Sequence, residues 1–197
     1  MKTKSQRGFT LLEVVFALLL FSFVMGLIWF FYNAVYINNI RFNTSSQLTE
    51  SVRTISNTIK NDLRLADYIT VEIEQEDGSI KSINPGHDFE TITGKLSMIH
   101  LYTKDKPQLG YRTIQLIRND NPKHEQGAYS LIYKYEDGTN AIICDQLQDI
   151  KVTVYKGNTN IYFDCTVESG SVKVGEEMTL DASFSESLKN KKELTSR

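Results

Sequence analysis

Hydrophobic and polar positions divide the chain into three regimes. Residues 14–40 contain no charged side chain, which predicts a helix that is apolar all round. At about 1.5 Å per residue that run is roughly 40 Å long, against a hydrocarbon core of about 30 Å, so its last turns, with Asn33, Asn38 and Asn39, are expected to emerge from a membrane. Further on, Leu48, Val52, Ile55, Ile59, Leu63 and Ala66 recur at helical spacing, while Glu50, Arg53, Lys60, Asp62 and Arg64 are assigned to other faces. No proline or glycine interrupts residues 27–67. One helix over about 10–67, near 85 Å in length, is therefore expected. Its second half is amphipathic, and its apolar stripe is read as packing on a sheet, not as a ligand groove.

From Tyr68 the period changes to two. Ile69, Val71 and Ile73 alternate with polar residues and lead into Asp77-Gly78, followed by Ile80 and Ile83, the pattern of a hairpin. Further strands are expected at 96–102, 113–117, 129–135, 141–144, 150–155, 161–167, 172–174 and 178–184, with turns at Asp137-Gly138 and 156–160. The fold class is α+β: a long N-terminal helix packed on an antiparallel, β-rich C-terminal domain.

The head of the helix carries the most specific chemistry. In Arg7-Gly8-Phe9-Thr10-Leu11-Leu12-Glu13 a basic leader ends in glycine, an apolar helix begins at once, and Glu13 is the one carboxylate at its start. A carboxylate in a bilayer costs a few kcal/mol or more, about 3 on the lower scales, and calls for a partner. A cut between Gly8 and Phe9 would create one, the new amino group of Phe9, within the molecule or on a neighbour. An ordinary secretory signal would place a small-residue site after a shorter apolar core; here Tyr32-Asn33-Ala34-Val35-Tyr36 follows a longer one. A plain anchor would leave Glu13 unpaired.

This layout resembles the class III signal of type IV prepilins and type II secretion pseudopilins. The resemblance implies cleavage by a prepilin peptidase between Gly8 and Phe9, N-methylation of Phe9, and pairing of Glu13 with the amine of a neighbouring subunit. It implies as partners the other pilin or pseudopilin subunits, met through N-terminal helix packing, and an inner-membrane assembly platform. Glycine suits the cut because its backbone lies extended without a side chain. Unlike many major pilins, the apolar segment holds no proline, and Gly26 is its one weak point. Within the family the later strands look closest to W-type minor pilins and J-type minor pseudopilins, on the stretch from Asp145 to Tyr155.

Charge sets the orientation. Lys2, Lys4 and Arg7 precede the apolar run and are expected to stay cytoplasmic, which puts the rest of the chain outside the membrane, first anchored, then in a filament at the cell surface. Trp29, Tyr32 and Tyr36 fall at the far interface. Three of the 22 basic residues lie in the leader, so the chain beyond Gly8 carries 19 against 24 acidic groups. No basic cluster with interleaved aromatics is present, which argues against direct nucleic-acid binding. The expected organisation is a leader at 1–8, a transmembrane or filament-core helix at 9–40, its amphipathic continuation at 41–67, an extracytoplasmic domain at 68–185 and a polar tail at 186–197.

Catalytic signals are thin. His87, His100 and His124 lie in separate segments without a second ligand at metal-site spacing, and no nucleophile elbow, phosphate loop or Cys-x-x-Cys occurs. No enzyme activity, metal or cofactor is expected. Glu72, Glu74, Glu76 and Asp77 read as a solvated face, with a calcium site as the weaker alternative. Cys144 and Cys165 pose a choice between a disulfide and two buried thiols. A turn centred near Asn158 would set Cys165 opposite about Lys151, so a bridge would need the chain to reverse around 145–148. The function expected is that of a structural filament subunit, minor, priming or tip. The alternatives are a pilin-anchored adhesin or receptor domain, a DNA-uptake pseudopilin, and a membrane-anchored sensor.

Overall fold

A computed structural model describes residues 10–83, 91–104, 110–119, 128–156, 158–171, 176–188 and 191–193. It resolves into two compact units, Met1–Asn43 and Thr44–Arg197. A single helix, α1 (Leu11–Leu65), contributes to both. In the first unit nearly every apolar side chain, from Leu11 through Phe16, Leu20, Phe23 and Phe30 to Tyr36, is exposed. By length and composition this helix could cross a membrane. Gly26 leaves it unbroken, with open space where a Cβ would sit.

In the second unit the helix meets nine strands: β1 (Tyr68–Glu74), β2 (Ile80–Ile83), β3 (Ile92–Tyr102), β4 (Tyr111–Arg118), β5 (Tyr129–Tyr135), β6 (Asn140–Val154), β7 (Asn160–Ser171), β8 (Glu176–Ser187) and β9 (Lys192–Glu193). They form one sheet in the order β2-β1-β3-β4-β5-β6-β7-β8, antiparallel throughout, with β9 parallel to β1. β3 also pairs directly with β6 at its start, Ile92↔Val154 to Lys95↔Lys151, so the β4–β5 hairpin is wedged between them at one end only. The core forms where the helix stripe, Leu48, Ile55, Ile59, Leu63 and Ala66, meets inward residues of the sheet such as Ile69, Ile99, Ile114, Leu147, Ile150 and Phe163. Val52 is partly buried against the same cluster.

Both Asp-Gly turns form as expected, and by one device. Gly78 and Gly138 adopt φ of 78° and 83°, the left-handed conformation that glycine takes without steric cost. Asp77 and Asp137 each accept the amide and hydroxyl of the residue two places on, Ser79 and Thr139, at 2.6–2.9 Å. Those bonds hold both carboxyls below the usual range. Asp77 is thus a turn-former, and Glu74 and Glu76 are exposed.

Three expectations are corrected. The strands expected at 141–144 and 150–155 are one strand, β6. Its buried residues Cys144, Leu147 and Ile150 recur every third position, which a regular strand cannot do; register shifts beside Leu131 and between Leu147 and Asp149 absorb the extra residues. Asp62, assigned to an outer face, is buried. Cys165 lies opposite Ile150, in keeping with the position expected, about Lys151. The polar tail at 186–197 is not free at its start: β8 runs to Ser187, Leu188 joins the core, and β9 pairs with Tyr68 and Ile69. The strand expected at 172–174 lies outside the described residues.

Candidate functional site

The helix head is the candidate site. Gly8 and Phe9 lie outside the described residues, which begin at Thr10. Thr10 precedes the first helical residue, and Glu13 stands three residues further on, inside the first turn. The Thr10 amide donates to Glu13 Oε2 at 2.9 Å and the Thr10 hydroxyl to the same oxygen at 3.0 Å. In return the Glu13 amide donates to Thr10 Oγ1 at 3.3 Å. This reciprocal pairing is a capping box, which satisfies backbone donors that the first turn of a helix leaves without partners.

The capping box amends the reading of Glu13 as a carboxylate with no partner of its own. Its spacing, Thr-x-x-Glu, was open to inspection in the sequence. The box supplies hydrogen bonds but no countercharge, because Thr10 is neutral. The Glu13 carboxylate stands at the helix end whose macrodipole is positive. Among the described residues its partner is the neutral Thr10 and not a cation. A cation is the chemistry an amino group at Phe9, or one on an adjacent chain, would add.

Along the rest of the first unit the aromatic residues form a ladder. The rings of Trp29 and Tyr32 stack with centroids 6.3 Å apart, and those of Tyr32 and Tyr36 at 6.2 Å. Their spacing of three and four residues puts them on one face. Amphipathic aromatics at this depth suit a membrane interface. Ser22 donates its hydroxyl to the Leu18 carbonyl at 2.8 Å, so this polar group is satisfied inside the apolar run.

The remaining candidates lie in the second unit and form no reactive centre among the described residues. Cys144 and Cys165 are free thiols, both buried. The chain does not reverse around 145–148, where β6 is continuous, so the condition for a bridge is not met. Burial raises both thiols, Cys165 to about 11, which leaves them protonated and poorly nucleophilic. His100 sits on the sheet face away from the helix, its Nδ1 2.7 Å from the Tyr111 hydroxyl and its Nε2 3.3 Å from Glu72 Oε1. That is a cross-strand cluster of β1, β3 and β4. His87 and His124 lie outside the described residues.

A buried polar network was missed by the sequence reading. Arg112, 2% exposed, donates from Nη2 and Nε to Asp62 Oδ1 at 2.8 and 3.3 Å, and from Nη1 to Thr103 Oγ1 at 3.2 Å. The Tyr133 hydroxyl donates to Asp62 Oδ2. Burial first, and Asp62 second, raise the Tyr133 phenol well above its ordinary range, so it remains a donor. The network ties the helix to β4 and β5 and to the residue after β3.

Residues 3–29 match the family model described as the prokaryotic N-terminal methylation motif. Comparison with curated proteins and with solved structures returned no match. The chain carries the signal of a type IV pilin-like protein, and its exposed apolar helix fits a membrane-anchored pilin. The match stops at residue 29 and carries no information about the sheet.

Proposed function

We propose that the chain is a structural subunit of a type IV pilus-like or type II secretion-like filament, and within it a minor subunit at a priming or tip position. Its mechanism is assembly, without catalysis by this chain. The observation that carries the reading is the helix head: a methylation motif over residues 3–29, a Glu13 whose partner among the described residues is the neutral Thr10, and an apolar helix exposed along its first unit. The leader stays cytoplasmic and the sheet domain extracytoplasmic. The peptidase cuts after Gly8, Phe9 is methylated, and the helix moves from lipid into a bundle of like helices. There Glu13 gains the amine of a neighbour as its countercharge, so that no bare charge accompanies the transfer. The minor position rests on the size of the β domain and on the W- and J-type pattern of 145–155.

Mass spectrometry of the mature N-terminus tests the proposal. The expected species begins at Phe9 and carries a methyl group, and Gly8→Val leaves the leader attached. A chain that retains Met1, or that is cut near Tyr36, refutes it. Assembly position is read separately, from the stoichiometry of the chain in sheared filaments, where a minor subunit is present at a small fraction of the repeating one.

A further inference from the structure

β8 ends the sheet, and its outer side is regular. Among the described residues it pairs with β7 alone, from Ser171↔Glu176 to Asn160↔Ser187, with no shift in register. The Leu188 amide donates to the Thr159 carbonyl at 2.8 Å, one place beyond that ladder, and this bond sets its phase. Hydrogen-bonded and non-hydrogen-bonded pairs alternate along an antiparallel ladder. Leu180, Ala182 and Phe184 therefore turn their amides toward β7, and Thr179, Asp181, Ser183 and Ser185 turn theirs to the open side. All four of these last residues are exposed.

The side chains along this edge alternate in chemistry. Toward the helix, Met178, Leu180 and Ala182 are only partly buried against the core, whereas Val167 and Cys165, the β7 partners of Leu180 and Ala182, are 0% and 2% exposed. The apolar row of the last strand is thus incompletely covered. On the opposite face Asp181 accepts the Thr166 hydroxyl at 2.6 Å, and the Ser183 hydroxyl donates to Asp164 at 2.5 Å. The sequence of β8 holds Glu176, Glu177, Asp181 and Glu186, that of β7 holds Asp164 and Glu168, and neither holds lysine or arginine. Exposed edges are commonly blunted by lysine, proline or a bulge. β8 carries none of the three.

We propose that the β8 edge binds an extended segment of another protein that alternates basic and aliphatic side chains, added as a further strand of the sheet. Its main chain pairs with the outward amides of Thr179, Asp181, Ser183 and Ser185. Its aliphatic residues cover Met178, Leu180 and Ala182, and its lysines or arginines lie beside Asp181 and Asp164. Charge selects this occupant. A second copy of β8 would bring its own Glu176, Glu177, Asp181 and Glu186 against the first, and like charges disfavour that pairing, whereas a basic strand is attracted. Docking at β8 does not depend on processing at the helix head, so either can fail alone.

Amide hydrogen exchange on the full chain in non-ionic detergent micelles tests this, with two synthetic peptides as probes, one alternating valine with lysine and one alternating valine with glutamate. With the lysine peptide, exchange at Thr179, Asp181, Ser183 and Ser185 should slow about fivefold or more, as amides that gain a hydrogen bond, while Leu180, Ala182 and Phe184 keep their rates. The glutamate peptide should have no effect. Asp181→Lys should weaken the response to the lysine peptide, and Ser183→Pro, which removes an amide that β7 does not use, should abolish it. Where Ser183→Pro also loses the slow exchange of Phe184, the strand itself is lost and Asp181→Lys decides: an undiminished response there overturns the charge pairing. Protection at none of the four amides overturns the proposal, and so does equal protection by both peptides. Binding without amide protection overturns it too, because charge contact has then occurred without strand addition. Protection of the same amides without peptide, growing with protein concentration, overturns it by giving the edge to a second copy.

Discussion

Arg112→Met removes the cation from a site where nothing else can replace it. Arg112 is 2% exposed and Asp62 8%, so water does not take over the lost hydrogen bonds. The substitution keeps an unbranched side chain of similar length but leaves the Asp62 carboxylate with the Tyr133 hydroxyl as its remaining donor among those described above, and leaves Thr103 Oγ1 without the guanidinium. Breaking a buried pair by removing one partner costs about 3–5 kcal/mol, because an uncompensated charge stays behind. For a unit of this size about 2–4 °C of Tm accompanies each kcal/mol, so thermal melts of the 44–197 fragment followed by circular dichroism should fall by roughly 6–20 °C. The double variant Arg112→Met, Asp62→Leu should recover most of that loss. It discards both charges together, leaving unpartnered hydroxyls at Tyr133 and Thr103 at about 1 kcal/mol each. Urea titration of the four proteins closes the cycle, with a coupling of about 2 kcal/mol or more expected. A loss below about 1 kcal/mol for Arg112→Met, or strict additivity in the double variant, refutes the claim that the two residues act as a buried unit.

Three further outcomes are expected. The fragment 44–197 should be a soluble monomer; in it Ile59→Asp, at a fully buried position, should cost several kcal/mol, about 3 or more, while Lys60→Ala should lose about 0.5 kcal/mol, the scale of its contact with the Phe184 ring at 5.6 Å. Equal melts for Ile59→Asp and the parent would mean that the stripe faces outward. At Gly94 a Cβ would meet Ile73 Cγ2 at 2.4 Å and the Glu74 carbonyl oxygen at 2.5 Å, so Gly94→Ala should destabilise by about 1–3 kcal/mol through displaced β1 backbone; a neutral result in urea titration would show that β1 moves aside freely. Glu13→Ala should leave cleavage and membrane insertion intact while reducing recovery in sheared filaments, read by immunoblot against the repeating subunit, and recovery at parental level would remove the pairing role.

Several features were legible in the residue order alone because they are local. An uncharged run from 14 to 40 has few ways to satisfy its backbone other than as a helix. The apolar spacing from Leu48 to Ala66 names its own buried face, and Asp-Gly at 77–78 and 137–138 names turns whose geometry requires φ above zero. The methylation motif is readable for the same reason, since Gly8, Phe9 and Glu13 lie within six consecutive residues. So is the Thr-x-x-Glu spacing of the capping box that Thr10 and Glu13 form. Asp62 was hidden by its charge: it continues the 55, 59, 62, 66 spacing of the stripe, and Arg112 continues the alternation of Ile114 and Leu116, but neither pattern says that the two meet.

Only the tertiary structure decided those matters that depend on a second segment arriving. A charged residue belongs on a core face only if its counterion comes from elsewhere in the chain, here from fifty residues away across the helix–sheet contact. The three-residue repeat of Cys144, Leu147 and Ile150 became a strand because neighbouring strands absorb the extra residues as irregularities in register. β9 is a strand because it finds the edge of β1 at Tyr68 and Ile69, more than a hundred residues earlier in the chain. Local periodicity records which side chains avoid water, whereas long-range pairing, twist and closure are set by where distant segments bury them together.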